Sequence, residues 1–124
     1  IDDEEVVLAT SRLALEHLGY KVLTANTGME AISIVETSGE DIDLAILDIG
    51  LPDISGDKVC QKIQELRPNI KIVVSTGYMV EDITDDMKIK AQGFIQKPFS
   101  MSKMAIKLKE VLGDKKHFKD RHSM

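Results

Sequence analysis

The chain has 124 residues, a formal net charge of −5, and 43% hydrophobic and 30% charged residues. These values are ordinary for one globular domain, and the acidic balance argues against nonspecific nucleic-acid binding. One cysteine excludes an internal disulfide, and no apolar run is long enough for a membrane span or resembles a signal peptide. We therefore expect a cytoplasmic domain without membrane contact.

The first predicted element is a helix that follows a run of acidic residues from Asp2 to Glu5. Negative charge at this end complements the helix dipole, so on local evidence Asp2 and Asp3 serve only the helix start. Gly19 is expected to stop the helix. The apolar stripe consists of Val7, Ser11, Ala14, Leu15 and Leu18.

The rest of the chain alternates strands with helices. The predicted strands are residues 21–25, 44–48, 71–75 and 93–96, and the predicted helices are 27–37, 55–66, a segment from Val80 to Ala91, and a segment from Met101 to Leu112. This alternation predicts an α/β fold with a doubly wound parallel sheet. Because the first helix lacks its strand, we expect that strand upstream of Ile1. We assign residues 1–113 to the domain and 114–124 to a basic, flexible tail.

Polar residues follow the predicted strand ends. Asp48 ends an apolar run, Thr76 and Gly77 follow the next strand, and Lys97 follows the last. The carboxyl ends of parallel strands form one edge, where open α/β sheets bind their ligands. Two carboxylates about 4 Å apart repel by roughly 4 kcal/mol at an effective dielectric near 20. Lys97 offsets part of this charge, and a divalent cation, most simply Mg²⁺, is expected to offset the rest.

Together these residues resemble the receiver domain of two-component response regulators, over essentially the whole chain from Asp2 to about Leu112. The resemblance depends on Asp2-Asp3, on Asp48 with Pro52 and Gly56 at plus four and plus eight, and on Thr76-Gly77 and Lys97-Pro98-Phe99. It implies a five-stranded, flavodoxin-like sheet with strand order 2-1-3-4-5. The motifs Asp-Ile-Gly-Leu-Pro-Asp and Ser-Thr-Gly-Tyr resemble those of receivers fused to hybrid sensor kinases. A stand-alone receiver and the N-terminal domain of a transcription factor remain open as parent architectures.

The resemblance also implies roles for individual residues. Asp48 is expected to accept a phosphoryl group from the phosphohistidine of a histidine kinase or histidine phosphotransfer domain. Asp3, Asp48 and the backbone carbonyl of Gly50 would bind Mg²⁺, and Asp2 would reach it mainly through water. Lys97 and Thr76 would hold the phosphoryl oxygens. Phe94 would occupy the switch-aromatic position.

The partner surface implied by the resemblance is the face formed by the Val80–Ala91 helix, the Phe94 strand and the last helix. A weak dimer through this face is one open arrangement, and direct nucleic-acid binding is not expected. Gly50 occupies a position from which similar proteins tune dephosphorylation, so the phosphate lifetime stays undetermined.

Each assignment has a simpler alternative. Asp48 suits a turn, Thr76 suits a turn cap, Lys97 suits a solvated surface, and Phe94 suits plain core. The nearest alternative function is a haloacid-dehalogenase-type phosphatase, which needs a second Asp where Gly50 stands. A receiver-like protein-binding module without phosphorylation is the other. We expect a phosphoacceptor that catalyses its own phosphotransfer and dephosphorylation, rather than a turnover enzyme.

Overall fold

The computed structural model describes residues 1–76, 91–97 and 100–113. The helices are α1 (Glu5–His17), α2 (Gly28–Ser38), α3 (Gly56–Leu66) and α4 (Met101–Leu112), and the strands are β1 (Leu44–Asp48), β2 (Lys71–Thr76) and β3 (Gly93–Gln96), with a 3₁₀ turn at Gly39–Asp41. These bounds lie within one or two residues of the predicted ones. None of these helices is long and apolar enough to cross a membrane.

The three strands form one parallel sheet in the order β1-β2-β3. Asp48 lies opposite Ser75, and Thr76 lies opposite Gln96. The carboxyl ends of all three strands therefore meet at the same edge, as the α/β alternation predicted. This edge carries Asp48, Thr76 and, one residue beyond β3, Lys97.

Ile1 and Asp2 extend the sheet beside β1. The nitrogen of Ile1 donates a hydrogen bond to the Ile46 carbonyl at 2.7 Å, and the Ile1 carbonyl accepts one from the Asp48 amide at 2.9 Å. On the other side, the Asp2 amide donates to the Ala25 carbonyl at 3.1 Å. The order across the described part of the sheet is thus Ala25, Ile1–Asp2, β1, β2, β3, which agrees with the predicted order.

The predicted strand at residues 21–25 does not form. In the described part of the chain, its backbone pairing with Ile1 and Asp2 consists of the one hydrogen bond at Ala25. A strand needs a run of ladder bonds to a neighbour, and β propensity cannot replace them. The five-strand count is therefore not confirmed, whereas the doubly wound parallel architecture is.

Helices cover both faces of the sheet. On one face α3 packs on β1 and α2 packs along α3, and the buried side chains there are Val35, Leu47, Leu51, Val59, Cys60, Ile63, Ile70, Ile72 and Val74. On the other face α4 packs on β2 and β3 and buries Met104 and Leu108. Side chains alternate across a strand, so both faces of β2 are apolar and buried.

Helix α1 ends at His17, with Leu18 as its C-cap and the predicted Gly19 directly after it. Gly19 has a φ of 101°, and its amide donates to the Glu16 carbonyl while the Tyr20 amide donates to the Leu15 carbonyl, both at 3.0 Å. This pair of bonds is a Schellman motif, which favours glycine because its φ is positive. The predicted stripe of α1 is half-buried and faces the protein.

Several predicted features lie outside the described residues. They are Gly77, the Val80–Ala91 helix as far as residue 90, Pro98, Phe99 and the tail at 114–124. Ala91 itself precedes β3 and is not helical. The assignment of 1–113 as the domain stays a prediction.

Candidate functional site

Three carboxylates meet at the carboxyl edge of the sheet. Asp2 and Asp3 follow the backbone pairing of Ile1 with β1, and Asp48 ends β1. Each offers an oxygen atom within 4.8 Å of the others. Asp2 and Asp48 are buried, with 5% and 7% of their surfaces exposed, whereas Asp3 is exposed. The sheet thus holds two charged groups away from water and leaves the third at the mouth of the site.

Lys97 is the cation of this cluster. Its ammonium Nζ lies 2.8 Å from Asp2 Oδ2 and 3.4 Å from Asp48 Oδ1. The Lys97 amide donates to the Thr76 carbonyl at 2.7 Å and so continues the pairing of β3 with β2. This hydrogen bond holds the Lys97 backbone at the same sheet edge as Asp48. The solvated-lysine alternative does not fit a side chain that is only 19% exposed.

The buried charges shift one another's protonation. Burial is the main cause that raises the pKa of the Asp48 carboxyl, and the negative charge of Asp2 raises it further. The hydrogen bond from the Gly50 amide at 3.3 Å and the positive charge of Lys97 oppose this rise. Burial disfavours charged Lys97, but its hydrogen bond to Asp2 and the charges of Asp48 and Asp2 outweigh this effect, so its pKa lies above the ordinary value.

Asp2 has two structural tasks in addition to its charge. Its Oδ2 atom contacts Lys97, and its Oδ1 atom accepts a hydrogen bond from the Glu4 amide at 3.0 Å, just before α1. Asp2 therefore contributes a hydrogen bond to the residue before α1, while the dipole role predicted for Asp2 and Asp3 stays a prediction. Asp3 has a free path to solvent, which suits a direct metal ligand.

The donor set fits a magnesium ion. Asp2, Asp3 and Asp48 carry three negative charges and Lys97 one positive charge, which leaves the cluster with a formal charge of −2. Carboxylate oxygens with room for several waters are what Mg²⁺ prefers. Gly50 is exposed and adjoins Asp48 through its amide. That the Gly50 backbone carbonyl binds the metal ion stays a prediction.

Thr76 lies on β2 and Phe94 on β3, the two strands that follow β1 in the sheet. Thr76 ends β2, is fully buried, and is one residue beyond Ser75, the register partner of Asp48. Phe94 lies in β3, three residues before Lys97, and is half-buried against the core of the α2–α3 face. The core alternative for Phe94 therefore fits its present position, and its switch role stays a prediction.

Two neighbours of the site were not predicted. Glu4 Oε1 lies 4.0 Å from Lys97 Nζ, with the Glu4 side chain 65% exposed. Asp53, in the loop after β1, accepts hydrogen bonds from the Gly28 and Met29 amides of α2. The sequence indicates Asp53 as a turn residue, but only the tertiary structure brings it to α2.

The chain matches the model of a known protein family over most of its length. The model of the response regulator receiver domain matches residues 1–109, which include the whole cluster. The chain is 31% identical over 113 residues to the sensor kinase CckA of Brucella abortus. This match covers 90% of this chain but 12% of that protein. The chain spans between 12% and 48% of the length of the curated relatives that it matches first.

Solved structures agree. A CheY-like receiver domain from Methanospirillum hungatei is 33% identical with a TM-score of 0.81, covering 90% of this chain and 88% of that one. A response regulator from Burkholderia pseudomallei, solved with a phosphorylated aspartic acid, a calcium ion and citrate, is 27% identical with a TM-score of 0.75, covering 86% and 62%. The strand-end carboxylates, the lysine after β3 and these likenesses lead to one conclusion: the chain belongs to the response regulator receiver domain family.

Proposed function

We propose that this chain is a phosphoryl-accepting signalling switch in which Asp48 is the phosphoacceptor. The observation that carries the proposal is the position of Asp48 at the end of β1, 3.4 Å from Lys97 and within one cluster with Asp2 and Asp3. The donor is a phosphohistidine of a histidine kinase or histidine phosphotransfer domain. An Asp48 oxygen attacks the phosphorus, the phosphorus–nitrogen bond breaks, and the electron pair returns to the imidazole ring.

The surrounding residues neutralise and position charge, which is most of what phosphoryl transfer requires. Lys97 leaves its contact with Asp2 or shares it, and its ammonium binds a phosphoryl oxygen. Thr76 donates its hydroxyl to another. Asp3, Asp48 and the Gly50 carbonyl would hold Mg²⁺ directly, with Asp2 mainly through water, and the bound ion would supply positive charge at the phosphoryl oxygens.

The signal leaves the site through Thr76 and Phe94. Thr76 is buried at the end of β2, and the neighbouring strand carries Phe94 half-buried beside the core. A movement of Thr76 toward the phosphoryl group opens space into which the Phe94 ring turns. The surface formed by β3 and α4 then changes, and it is there that an output partner, or a weak dimer, would bind.

A hybrid sensor kinase, a stand-alone receiver and a transcription factor stay open as the parent protein, since the relatives include both a sensor kinase and a transcriptional regulatory protein. The family match over residues 1–109 favours neither the phosphatase nor the unphosphorylated binding module. Gly50 also stands at the position where the phosphatase would need its second aspartate.

Acetyl phosphate with Mg²⁺ tests the proposal. We expect intact-mass spectrometry to find one phosphoryl group per chain, on Asp48 after peptide mapping. The D48N variant should take up none, while D41N, which loses an exposed carboxylate in the 3₁₀ turn, should react like the original protein. A folded protein without the adduct would favour the binding module, and repeated turnover on phosphomonoesters would favour the phosphatase.

A further inference from the structure

The loop between β1 and α3 is tied to a helix that is distant in sequence. Asp53 Oδ1 accepts a hydrogen bond from the Gly28 amide at 2.9 Å, and Asp53 Oδ2 accepts one from the Met29 amide at 3.0 Å. One carboxylate thus binds the first two amides of α2 with both oxygens. These bonds lower the pKa of Asp53, so the group is charged at neutral pH.

The remaining amides at this helix end have partners of their own. The Thr27 hydroxyl accepts from the Glu30 amide at 3.0 Å, and the Glu30 carboxylate accepts from the Asn26 amide at 2.8 Å. This local arrangement is close to a capping box. It leaves the Gly28 and Met29 amides for an acceptor from elsewhere, and Asp53 supplies it.

The contact is close because Gly28 has no side chain. A Cβ atom at Gly28 would lie 2.9 Å from Val59 Cγ2, 3.3 Å from Ile54 Cβ and 3.4 Å from Asp53 Oδ1. Helix α2 also packs along α3. The anchor for the loop is therefore a fixed, packed helix end rather than another surface loop.

The same loop carries part of the phosphoacceptor site. The loop follows Asp48, and the Gly50 amide donates a long hydrogen bond of 3.3 Å to Asp48 Oδ1. Leu51 is buried, whereas Gly50, Pro52 and Asp53 are exposed. Between Leu51 and the start of α3, Asp53 makes the side-chain hydrogen bonds to α2, and Ile54 packs beside Gly28.

We propose that Asp53 is a positioning residue for the metal site, holding the loop so that the Gly50 carbonyl stays near Asp48. The inference rests on the proposed function, since it assigns Gly50 and Asp48 to Mg²⁺ binding. Charge-assisted bonds from helix amides are strong and directional, so the carboxylate fixes both the distance and the orientation of the loop.

The experiment compares D53A with T27A. Both variants remove hydrogen bonds from the start of α2, but only D53A releases the loop. We expect the Mg²⁺ dissociation constant, measured by calorimetric titration of the full chain, to rise about tenfold in D53A, the lower range for loss of outer-shell support. T27A should keep the original constant although its thermal midpoint falls. D53N, which keeps one acceptor oxygen, should lie between.

Two further readouts separate positioning from general effects. Without Mg²⁺, the Gly50 amide resonance should shift in D53A and not in T27A, because only the first change frees the loop. D41N controls for the lost charge and should bind Mg²⁺ as the original protein does. Equal Mg²⁺ constants and unmoved Gly50 resonances in D53A would overturn the inference. If the original chain bound no Mg²⁺ and accepted no phosphoryl group, the proposed function itself would fail.

Discussion

Asp48 is a charged group that the fold keeps in an unfavourable place. It is 7% exposed, and burial raises its pKa in spite of Lys97 and the Gly50 amide. A buried carboxylate with a raised pKa costs stability at neutral pH. The residue is therefore explained by what it binds rather than by what it contributes to folding.

We predict that D48N is more stable than the original protein at pH 7 without Mg²⁺, by on the order of 1 kcal/mol of unfolding free energy, because a charge disfavoured by burial and by Asp2 is removed while Asp2 stays as the partner of Lys97. The sign follows from proton binding: between the unfolded and folded pKa values the folded state holds more protons, so the original protein loses stability as pH rises through this window. Urea unfolding with a chelator present measures the difference.

The gain of D48N should be complete above the folded pKa and should disappear below the ordinary value of 3.8. Groups that do not interact with Asp48 cancel in this difference. D41N serves as the control and should show no such gain. A D48N protein less stable than the original at pH 7 would contradict the prediction.

At the scale of elements, helix α3 begins where the loop from the site ends. A Cβ atom at Gly56, the first residue of α3, would lie 3.0 Å from Ile49 Cα and 3.1 Å from the Ile49 carbonyl oxygen. Both neighbours are backbone atoms directly after Asp48 and cannot move without moving the site. At Gly50 the nearest atom, Asp48 Oδ1, would be 3.9 Å away, which is ordinary contact.

We predict that G56A lowers the free energy of unfolding by about 1–3 kcal/mol, the usual cost of overpacking. G50A should change it by less than about 0.5 kcal/mol, as is usual for surface positions. Chemical unfolding of both variants, side by side, measures the contrast. A G56A protein as stable as G50A would mean that α3 can shift away from Ile49 at little cost.

At the scale of the whole molecule, metal binding at the charged edge of the sheet would be linked to folding. The cluster draws on Asp2 and Asp3 near the start of the chain, Asp48 in the middle and Lys97 near the end. A metal bound there holds together segments that separate on unfolding. Binding to the folded state alone stabilises it by mass action.

We predict that Mg²⁺ raises the thermal midpoint and adds about 2.7 kcal/mol to the free energy of unfolding at a concentration of 100 times its dissociation constant. D3N removes a ligand but leaves the contact between Lys97 and Asp2 intact. Its midpoint should respond much less to Mg²⁺. Thermal scans over a Mg²⁺ series measure both, and equal responses in D3N and the original protein would exclude Asp3 as a ligand.

Sequence alone determined the four helices that the structure describes, three of the predicted strands and the carboxyl edge, because these depend on local periodicity and on turn residues. Asp48, Thr76 and Lys97 could be assigned to one edge since a parallel sheet brings strand ends together. Even the end of α1 at Gly19 was local, as the Schellman bonds span a few residues.

Tertiary structure decided what depends on neighbours distant in sequence. Residues 21–25 have β propensity but form no strand, because ladder bonds come from a partner. Asp2 is buried and bound to Lys97, although the two are far apart in the chain. Asp53 looks like a turn residue, yet it binds the start of α2. Propensity is a property of a segment, whereas pairing, burial and charge compensation belong to the folded whole.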